Sequence, residues 1–203
     1  RSRYGLTEQD KAVISVGHMI ARKGLPEFLE LARSMPQVRF FWFGYTAPEL
    51  VPAVIREALA NAPENVTFPG YVSREELREA YCGCDVFAFL SHEETEGIVV
   101  LEALACGIPT VLRDIPVYEG WLHHGVEVYK AASQEEFRTQ VEGLLDGTLP
   151  PLREAELDLA RGRSLEQMGR RLRAVYEQEG LPYREEAPSA MAVLHKHIPL
   201  YFR

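Results

Sequence analysis

The chain lacks an apolar run long enough to cross a bilayer, and its first residues, Arg1-Ser2-Arg3, do not have the pattern of a signal peptide. Three cysteines among 203 residues are too few for a disulfide framework, which favours a reducing compartment. Positive charge is also scarce, because 22 Lys and Arg stand against 30 Asp and Glu, for a net charge of −8. Nucleic acid needs a basic surface and is therefore excluded as the main partner. We expect a soluble, cytoplasmic protein.

Several catalytic motifs are absent as well. There is no Walker-A sequence and no G-x-G-x-x-G, which excludes a P-loop ATPase and a nicotinamide-type fingerprint. Neither Ser15 nor Ser91 is flanked by the glycines of a nucleophile elbow, so nucleophilic hydrolysis is not expected. No second thiol pair and no suitably spaced histidine accompany Cys82-Gly83-Cys84. We therefore expect no metal site, and we interpret the cysteines as small buried thiols.

The apolar pattern alternates between short strand-like runs and helix-like periods. The predicted strands cover residues 12–16, 38–43, 66–68, 86–90, 110–112 and 126–129. A helix from 48 to 60 is expected to bury Leu50 and Val54, and capping boxes predict helix starts after Ser73, Ser133 and Ser164. This alternation predicts a doubly wound, Rossmann-like α/β fold with a parallel sheet of about six strands. We predict a ligand-binding domain over residues 1–150 and a helical tail over 151–203.

Glycines end three of the predicted strands, at Gly17, Gly44 and Gly70. Because glycine has no side chain, a ligand can approach the backbone closely at such positions. Single glycines at strand ends are ordinary turn residues, but three at one sheet edge favour a nucleotide cleft. Arg22 and Lys23 follow the first strand and either neutralise a diphosphate there or form an ordinary solvated pair.

The segment from Asp85 to Pro109, DVFAFLSHEETEGIVVLEALACGIP, carries the strongest signal. A strand ends in a polar turn that contains Glu94, and Gly97 then opens an apolar helix that carries Glu102. A helix amino terminus favours phosphate, and carboxylates accept hydrogen bonds from hydroxyl groups. The arrangement indicates a nucleotide-sugar site. The alternative is that Glu94 is a solvated loop residue and Glu102 a surface helix residue.

Taken together, these motifs resemble the carboxyl-terminal, donor-binding domain of family 4 retaining glycosyltransferases, which have the two-domain GT-B fold. The resemblance covers about residues 12–145 and is carried by Val16-Gly17 with Lys23-Gly24, Phe43-Gly44, Gly70-Tyr71-Val72, Glu94-x-x-Gly97, Leu101-Glu102-Ala103 and Gly107-x-Pro109. The run from Glu93 to Glu102 is most similar to bacterial glycolipid synthases that glucosylate diacylglycerol or its monoglucosyl derivative.

The resemblance implies a role for each matching position. Lys23 and Glu94 would be the catalytic residues, the first on the donor diphosphate and the second on the transferred hexose. Donor binding would further involve Gly17, Gly44, the backbone of Tyr71 and Val72 at the uracil, the N–H groups of Gly97, Ile98 and Val99 at the phosphates, and Glu102 at the ribose. The donor would be a UDP-sugar, with no cofactor and no metal, and the leaving phosphate would assist the acceptor in place of a protein nucleophile.

Some positions depart from the family pattern. His18 stands where arginine is usual, so Arg22 is expected to supply that charge, and Glu96 replaces the usual aromatic residue as a third carboxylate near the sugar. The resemblance further implies an amino-terminal acceptor domain that this chain does not contain, a lipid acceptor at the inner face of the membrane, and little transfer by this half alone. A polysaccharide, protein or small-molecule acceptor, or a non-catalytic nucleotide-sugar-binding module, are the alternatives.

Overall fold

The structure is a computed structural model that describes residues 1–180. It divides into two compact units, Arg1–Gly162 and Arg163–Arg203. The predicted boundary at residue 150 stays a prediction, and the predicted tail beyond residue 180 lies outside the described residues. None of the described helices is both long enough and apolar enough to span a bilayer.

The first unit alternates strands and helices along the chain, and the second begins with one helix. The strands are β1 Ala12–Val16, β2 Arg39–Phe43, β3 Val66–Gly70, β4 Val86–Phe89, β5 Thr110–Arg113 and β6 Tyr129–Ala131. The helices of the first unit are α1 Leu25–Ser34, α2 Ala53–Ala60, α3 Arg74–Gly83, α4 Ile98–Cys106, α5 Gln134–Asp146 and α6 Arg153–Gly162. The helix of the second unit is α7 Leu165–Gln178.

All strand pairs are parallel, and the strands lie in the order β3-β2-β1-β4-β5-β6. The chain runs outward in one direction from β1 and in the other direction from β4, so the switch point lies between these two strands. Ligands of open α/β sheets bind outside the carboxyl ends of the strands at this point. The predicted fold class and strand number are confirmed.

Successive side chains of each strand point to opposite faces of the sheet, and helices cover both faces, so the side chains on both are buried. Val13 of β1 belongs to one core cluster with Phe28 of α1, and its neighbour Ile14 belongs to the other with Tyr81 of α3 and Leu104 of α4. All five of these side chains are at most 2% exposed. Apolar residues at every strand position therefore indicate a sheet that is covered by helices on both sides.

The three predicted capping boxes are confirmed at their amino-terminal residues. The hydroxyls of Ser73, Ser133 and Ser164 accept hydrogen bonds from the backbone N–H groups of Glu76, Glu136 and Gln167. Each bond satisfies a donor that a helix start leaves without a partner. Local sequence therefore determines where α3, α5 and α7 begin.

The prediction of one helix over residues 48–60 is wrong. A 3-10 turn, Pro48–Leu50, precedes α2, and the two are separated by Val51 and Pro52. Proline cannot donate to the preceding turn and keeps the residue before it extended, which breaks the helix. The break also changes the helix phase, so Leu50 is 71% exposed and Val54 is 59% exposed, while Ile55 enters the core.

Two smaller predictions are also wrong. The last strand begins at Tyr129 and not at residue 126, because Gly125 at φ 73° opens a turn that residues 126 and 127 complete. The thiol of Cys82 is exposed on α3, so it is not one of the buried thiols that were expected. Cys84 and Cys106 are partly buried, and none of the three forms a disulfide.

Glu156 of α6 is a charged residue that the sequence reasoning did not single out. It is 1% exposed, and burial raises its pKa from 4.5 to about 7, although the backbone of Thr110 and the charge of Arg153 lower it. Between these two pH values the folded chain keeps a proton that the unfolded chain has lost. Stability should therefore fall as pH rises through this window, by up to about 3 kcal/mol.

We expect Glu156→Gln to remove most of this fall, because an amide does not titrate. The measurement is the free energy of unfolding by urea at pH 5, 6, 7 and 8 for the wild type and the variant. Glu154→Gln, an exposed position on the same helix, is the matched control and should keep the wild-type dependence. An unchanged slope in Glu156→Gln would refute this origin of the pH dependence.

Candidate functional site

The amino terminus of α4 lies just beyond the carboxyl end of β4, next to the switch point of the sheet. Gly97 precedes the helix with φ 78°, a left-handed conformation that favours glycine. Its carbonyl accepts the first helical bond from Val100, at 2.8 Å. The N–H groups of the first helical turn, those of Ile98 and Val99 among them, have no carbonyl of their own helix to bind and form an anion-binding helix end.

An ion pair lies beside this helix end. The Nζ atom of Lys23 donates to Oε1 of Glu94 at 2.6 Å, and the two side chains are only 15% and 8% exposed. Nζ also lies 5.8 Å from the centroid of the Phe89 ring. The structure thus brings together the two residues predicted to be catalytic, which are 71 positions apart in the sequence.

The position of Lys23 depends on Gly24, which ends the 3-10 turn Ala21–Lys23 and precedes α1. Gly24 has φ 77°, and a Cβ atom there would overlap the carbonyl group of Leu90. The aliphatic part of Lys23 packs over Gly17, where a Cβ would lie 3.5 Å from it. Two glycines therefore let the lysine segment approach the end of β4 closely enough to reach Glu94.

Backbone and side-chain hydrogen bonds join the segment of Arg22 to the loop that holds Glu94. The Arg22 guanidinium donates to the carbonyl of Glu93 at 2.8 Å, and the N–H of His92 donates to the carbonyl of Arg22 at 2.8 Å. The His92 ring lies 2.7 Å from a carboxylate oxygen of Glu27 on α1. Arg22, predicted to contact a diphosphate, is thus engaged with the loop, and the supporting roles of His92 and Glu27 were not foreseen.

The three predicted strand-end glycines lie together at one edge of the sheet. The N–H of Gly44 donates to the carbonyl of Gly70 at 2.9 Å, and a Cβ at Gly44 would overlap the carbonyl group of Gly17. Gly44 has φ 130°. The Trp42 indole donates to the carbonyl of Gly17 at 3.0 Å and fixes it from the core side. The backbone of these glycines, which have no side chains, therefore lines this part of the cleft.

The remaining predicted residues surround the same edge. Nδ1 of His18 lies 3.0 Å from the carbonyl oxygen of Tyr45, so this ring is held against the loop after β2. Tyr71 is 67% exposed in the turn between β3 and α3, and Val72 is partly buried. Glu96 is exposed in the turn before α4.

Glu102 lies on the second turn of α4. Its side chain is accessible. Partial burial of the carboxyl raises its pKa, and the positive charge of Arg74 at the start of α3 offsets only part of this rise. A carboxylate that is desolvated on one side and open on the other is suited to accept hydrogen bonds from a ligand. The arrangement as a whole offers one cation, one helix end and two carboxylates to a phosphorylated, hydroxylated molecule.

Tyr118 is a residue of this site that sequence reasoning missed. It ends the 3-10 turn Pro116–Tyr118 after β5, is 0% exposed, and packs edge-on against Trp121. A Cβ at Gly97 would lie 2.9 Å from its hydroxyl oxygen. Nothing in the segment Asp114-Ile115-Pro116 before it indicates this contact, which depends on how β5 is placed beside β4.

The fold and this edge of the sheet define a doubly wound α/β domain with a ligand cleft at its switch point, and a known family matches the chain over this domain. The family described as Glycosyl transferases group 1 matches residues 1–156. The chain therefore belongs to the group 1 glycosyl transferases, and the predicted resemblance to glycosyltransferases is confirmed.

Two curated relatives have names from glycolipid synthesis. The chain is 40% identical over 178 residues to the processive diacylglycerol alpha-glucosyltransferase of Acholeplasma laidlawii, which covers 88% of this chain and 54% of the relative. It is 34% identical over 122 residues to the alpha-galactosylglucosyldiacylglycerol synthase of Streptococcus pneumoniae, with 59% of this chain and 33% of the relative covered. The chain thus spans about half or less of the length of these two relatives.

Solved structures share the fold. Sucrose-phosphate synthase from Thermosynechococcus elongatus superimposes with a TM-score of 0.78 at 21% identity, over 88% of this chain and 47% of that one. Anabaena HepE in complex with UDP-glucose superimposes with a TM-score of 0.73 at 16% identity, over 84% of this chain and 49% of that one. At these identities the likeness concerns the fold, and it agrees with a domain that forms about half of each of these larger structures.

Proposed function

We propose that the chain is the donor-binding half of a retaining glycosyltransferase. It would move a hexose, namely glucose, from a UDP-sugar to a diacylglycerol-based glycolipid. The observation that carries the proposal is the nearly buried pair of Lys23 and Glu94 beside the open amino terminus of α4, at the switch point of the sheet. The names of the two glycolipid relatives support the lipid acceptor.

The site residues divide between the parts of the donor. Lys23 and the N–H groups of Gly97, Ile98 and Val99 would hold the diphosphate, because a cation and a helix end both favour negative charge. Glu102 would accept from the ribose hydroxyls, and Glu94 from hydroxyls of the sugar. The backbone near Tyr71 and Val72 would contact the uracil, while Gly17, His18, Arg22, Gly44 and Glu96 complete the walls.

In the proposed reaction the bond from sugar C1 to the phosphate oxygen breaks and the acceptor oxygen forms the new bond to C1 on the same face. The acceptor proton passes to the departing phosphate. The role of this domain is to stabilise the negative charge that develops on that phosphate, through Lys23 and the start of α4. Glu94 and Glu102 are then binding groups and not the acid/base pair of a glycosidase. Independence from metal stays a prediction.

The 203 residues are expected to bind donor without efficient transfer, because we assign acceptor binding to a domain in the part of the longer relatives that this chain does not span. In the full-length protein that domain would meet the lipid, peripherally at the inner face of the cell membrane. Robust glucosyl transfer by these residues alone would contradict this division of roles.

The test is calorimetric binding of UDP-glucose, UDP-galactose, UDP and ADP-glucose. We expect selectivity for uridine, and we expect Glu102→Ala to weaken UDP and UDP-glucose alike by about 10-fold, since one charge-assisted hydrogen bond to the shared ribose is lost. Glu57→Ala, an exposed glutamate of α2, is the control and should bind as the wild type does. Wild-type UDP affinity in Glu102→Ala would exclude the ribose role.

A further inference from the structure

The hydroxyl of Tyr118 is a buried donor that is not in use. It is inaccessible to solvent and has no hydrogen-bond partner among the described residues. Buried polar groups are nearly always paired, because a buried hydroxyl without a partner destabilises the fold. The unpaired hydroxyl is explained if its hydrogen-bond partner becomes available only in the ligand-bound state.

The position of this hydroxyl limits which groups can be its hydrogen-bond acceptor. It lies against Gly97, where a Cβ would be 2.9 Å away, and so directly under the loop that leads into α4. The pKa of Tyr118 is raised mainly by burial and further by the negative charge of Glu94. The unused donor thus lies against the loop that carries the nearly buried carboxylate of Glu94.

The carboxylate of Glu94 has a different donor in the ligand-free chain, namely Nζ of Lys23 at 2.6 Å. If Lys23 turns toward a bound diphosphate, Glu94 loses that bond while its side chain is only 8% exposed. A nearly buried carboxylate without a donor is costly. Another donor within the loop region would stabilise the liganded state, and the Tyr118 hydroxyl is free to act as one.

We propose that Tyr118 is a positioning residue for Glu94. Its hydroxyl donates to the Glu94 carboxylate in the donor-bound state and replaces Lys23 as that side chain moves to the diphosphate. Glu94 thereby keeps the orientation in which its other lone pairs face the sugar hydroxyls. The inference rests on the proposed function, and it predicts a contribution to sugar binding that is separate from nucleotide binding.

The test compares UDP and UDP-glucose on the 203-residue chain with Tyr118→Phe, which removes only the hydroxyl. We expect the dissociation constant of UDP to stay within about twofold and that of UDP-glucose to rise about 10-fold, since a hydrogen bond to a charged group is lost. The melting temperature should not fall, because the hydroxyl makes no bond in the ligand-free chain.

Tyr129→Phe is the matched control, since that buried tyrosine donates to the carbonyl of Pro150 at 2.8 Å. It should lower the melting temperature and leave both affinities unchanged. Wild-type affinity of Tyr118→Phe for UDP-glucose, or an equal loss for both ligands, would overturn the inference. A wild-type chain that binds UDP-glucose no more tightly than UDP would also overturn it. Absence of UDP binding by the wild type would instead overturn the proposed function, and this inference with it.

Discussion

Replacing Lys23 with alanine is expected to weaken UDP-glucose binding about 100-fold, or by about 3 kcal/mol. The variant loses its side-chain cation for the diphosphate. It also leaves Glu94, whose side chain is 8% exposed, without the donor that holds it at 2.6 Å. Removing one partner of a nearly buried ion pair costs up to about 3–5 kcal/mol when the other charge stays behind, and less in so far as the Tyr118 hydroxyl takes over as the donor to Glu94. The free energy of unfolding should therefore fall as well.

Combining Lys23→Ala with Glu94→Gln separates these effects. The neutral amide removes the stranded charge, so the double variant should be more stable than Lys23→Ala alone and should still bind UDP-glucose poorly. Lys11→Ala, an exposed lysine just before the amino end of β1, is the control and should match the wild type in both measurements. Wild-type binding and stability in Lys23→Ala would refute the assigned role of the pair.

The substitution Gly24→Ala should also have a large effect on stability. Its left-handed backbone, φ 77°, costs an alanine about 1–2 kcal/mol, and the overlap of the new Cβ with the Leu90 carbonyl adds about 1–3 kcal/mol. The contacted atoms are backbone at the end of β4, so they cannot move aside as a side chain would. We expect a loss of about 3 kcal/mol or more in urea unfolding.

Gly5→Ala isolates the conformational part of this loss. Gly5 has φ 67°, but no heavy atom in the described part of the chain lies within 4 Å of a Cβ built there, its chain neighbours aside. It should therefore cost only about 1 kcal/mol. Equal losses for the two variants would show that the contact between Gly24 and Leu90 is not as close as the structure has it.

Much of the fold could be predicted from short-range patterns. β1 is apolar at every position except Ser15 and β4 is apolar throughout, which indicates a sheet covered on both faces, and Ser73 and Ser133 mark helix starts through hydrogen bonds within one turn. A parallel sheet brings the carboxyl ends of its strands to one edge. The spatial grouping of Gly17 and Gly44 could therefore be inferred from their places after strands.

The contacts that complete the site could not be predicted in this way. Lys23 and Glu94 were each singled out, but their pairing joins segments 71 residues apart and depends on the close approach at Gly24. Tyr118 occurs in an unremarkable apolar segment, and its position under Gly97 follows from the pairing of β4 with β5. The burial of the Glu156 carboxyl could not be predicted from nearby residues either, since helix periodicity alone does not show which face α6 buries.

The central claim is that the donor lies at the carboxyl edge of the sheet with its diphosphate on α4. A crystal structure of the chain with UDP-glucose tests it most directly. We predict phosphate oxygens within hydrogen-bond distance of the N–H groups of Ile98 and Val99 and of Nζ of Lys23, with the ribose at Glu102. A nucleotide bound elsewhere, or a diphosphate that contacts neither Lys23 nor the start of α4, would contradict the account.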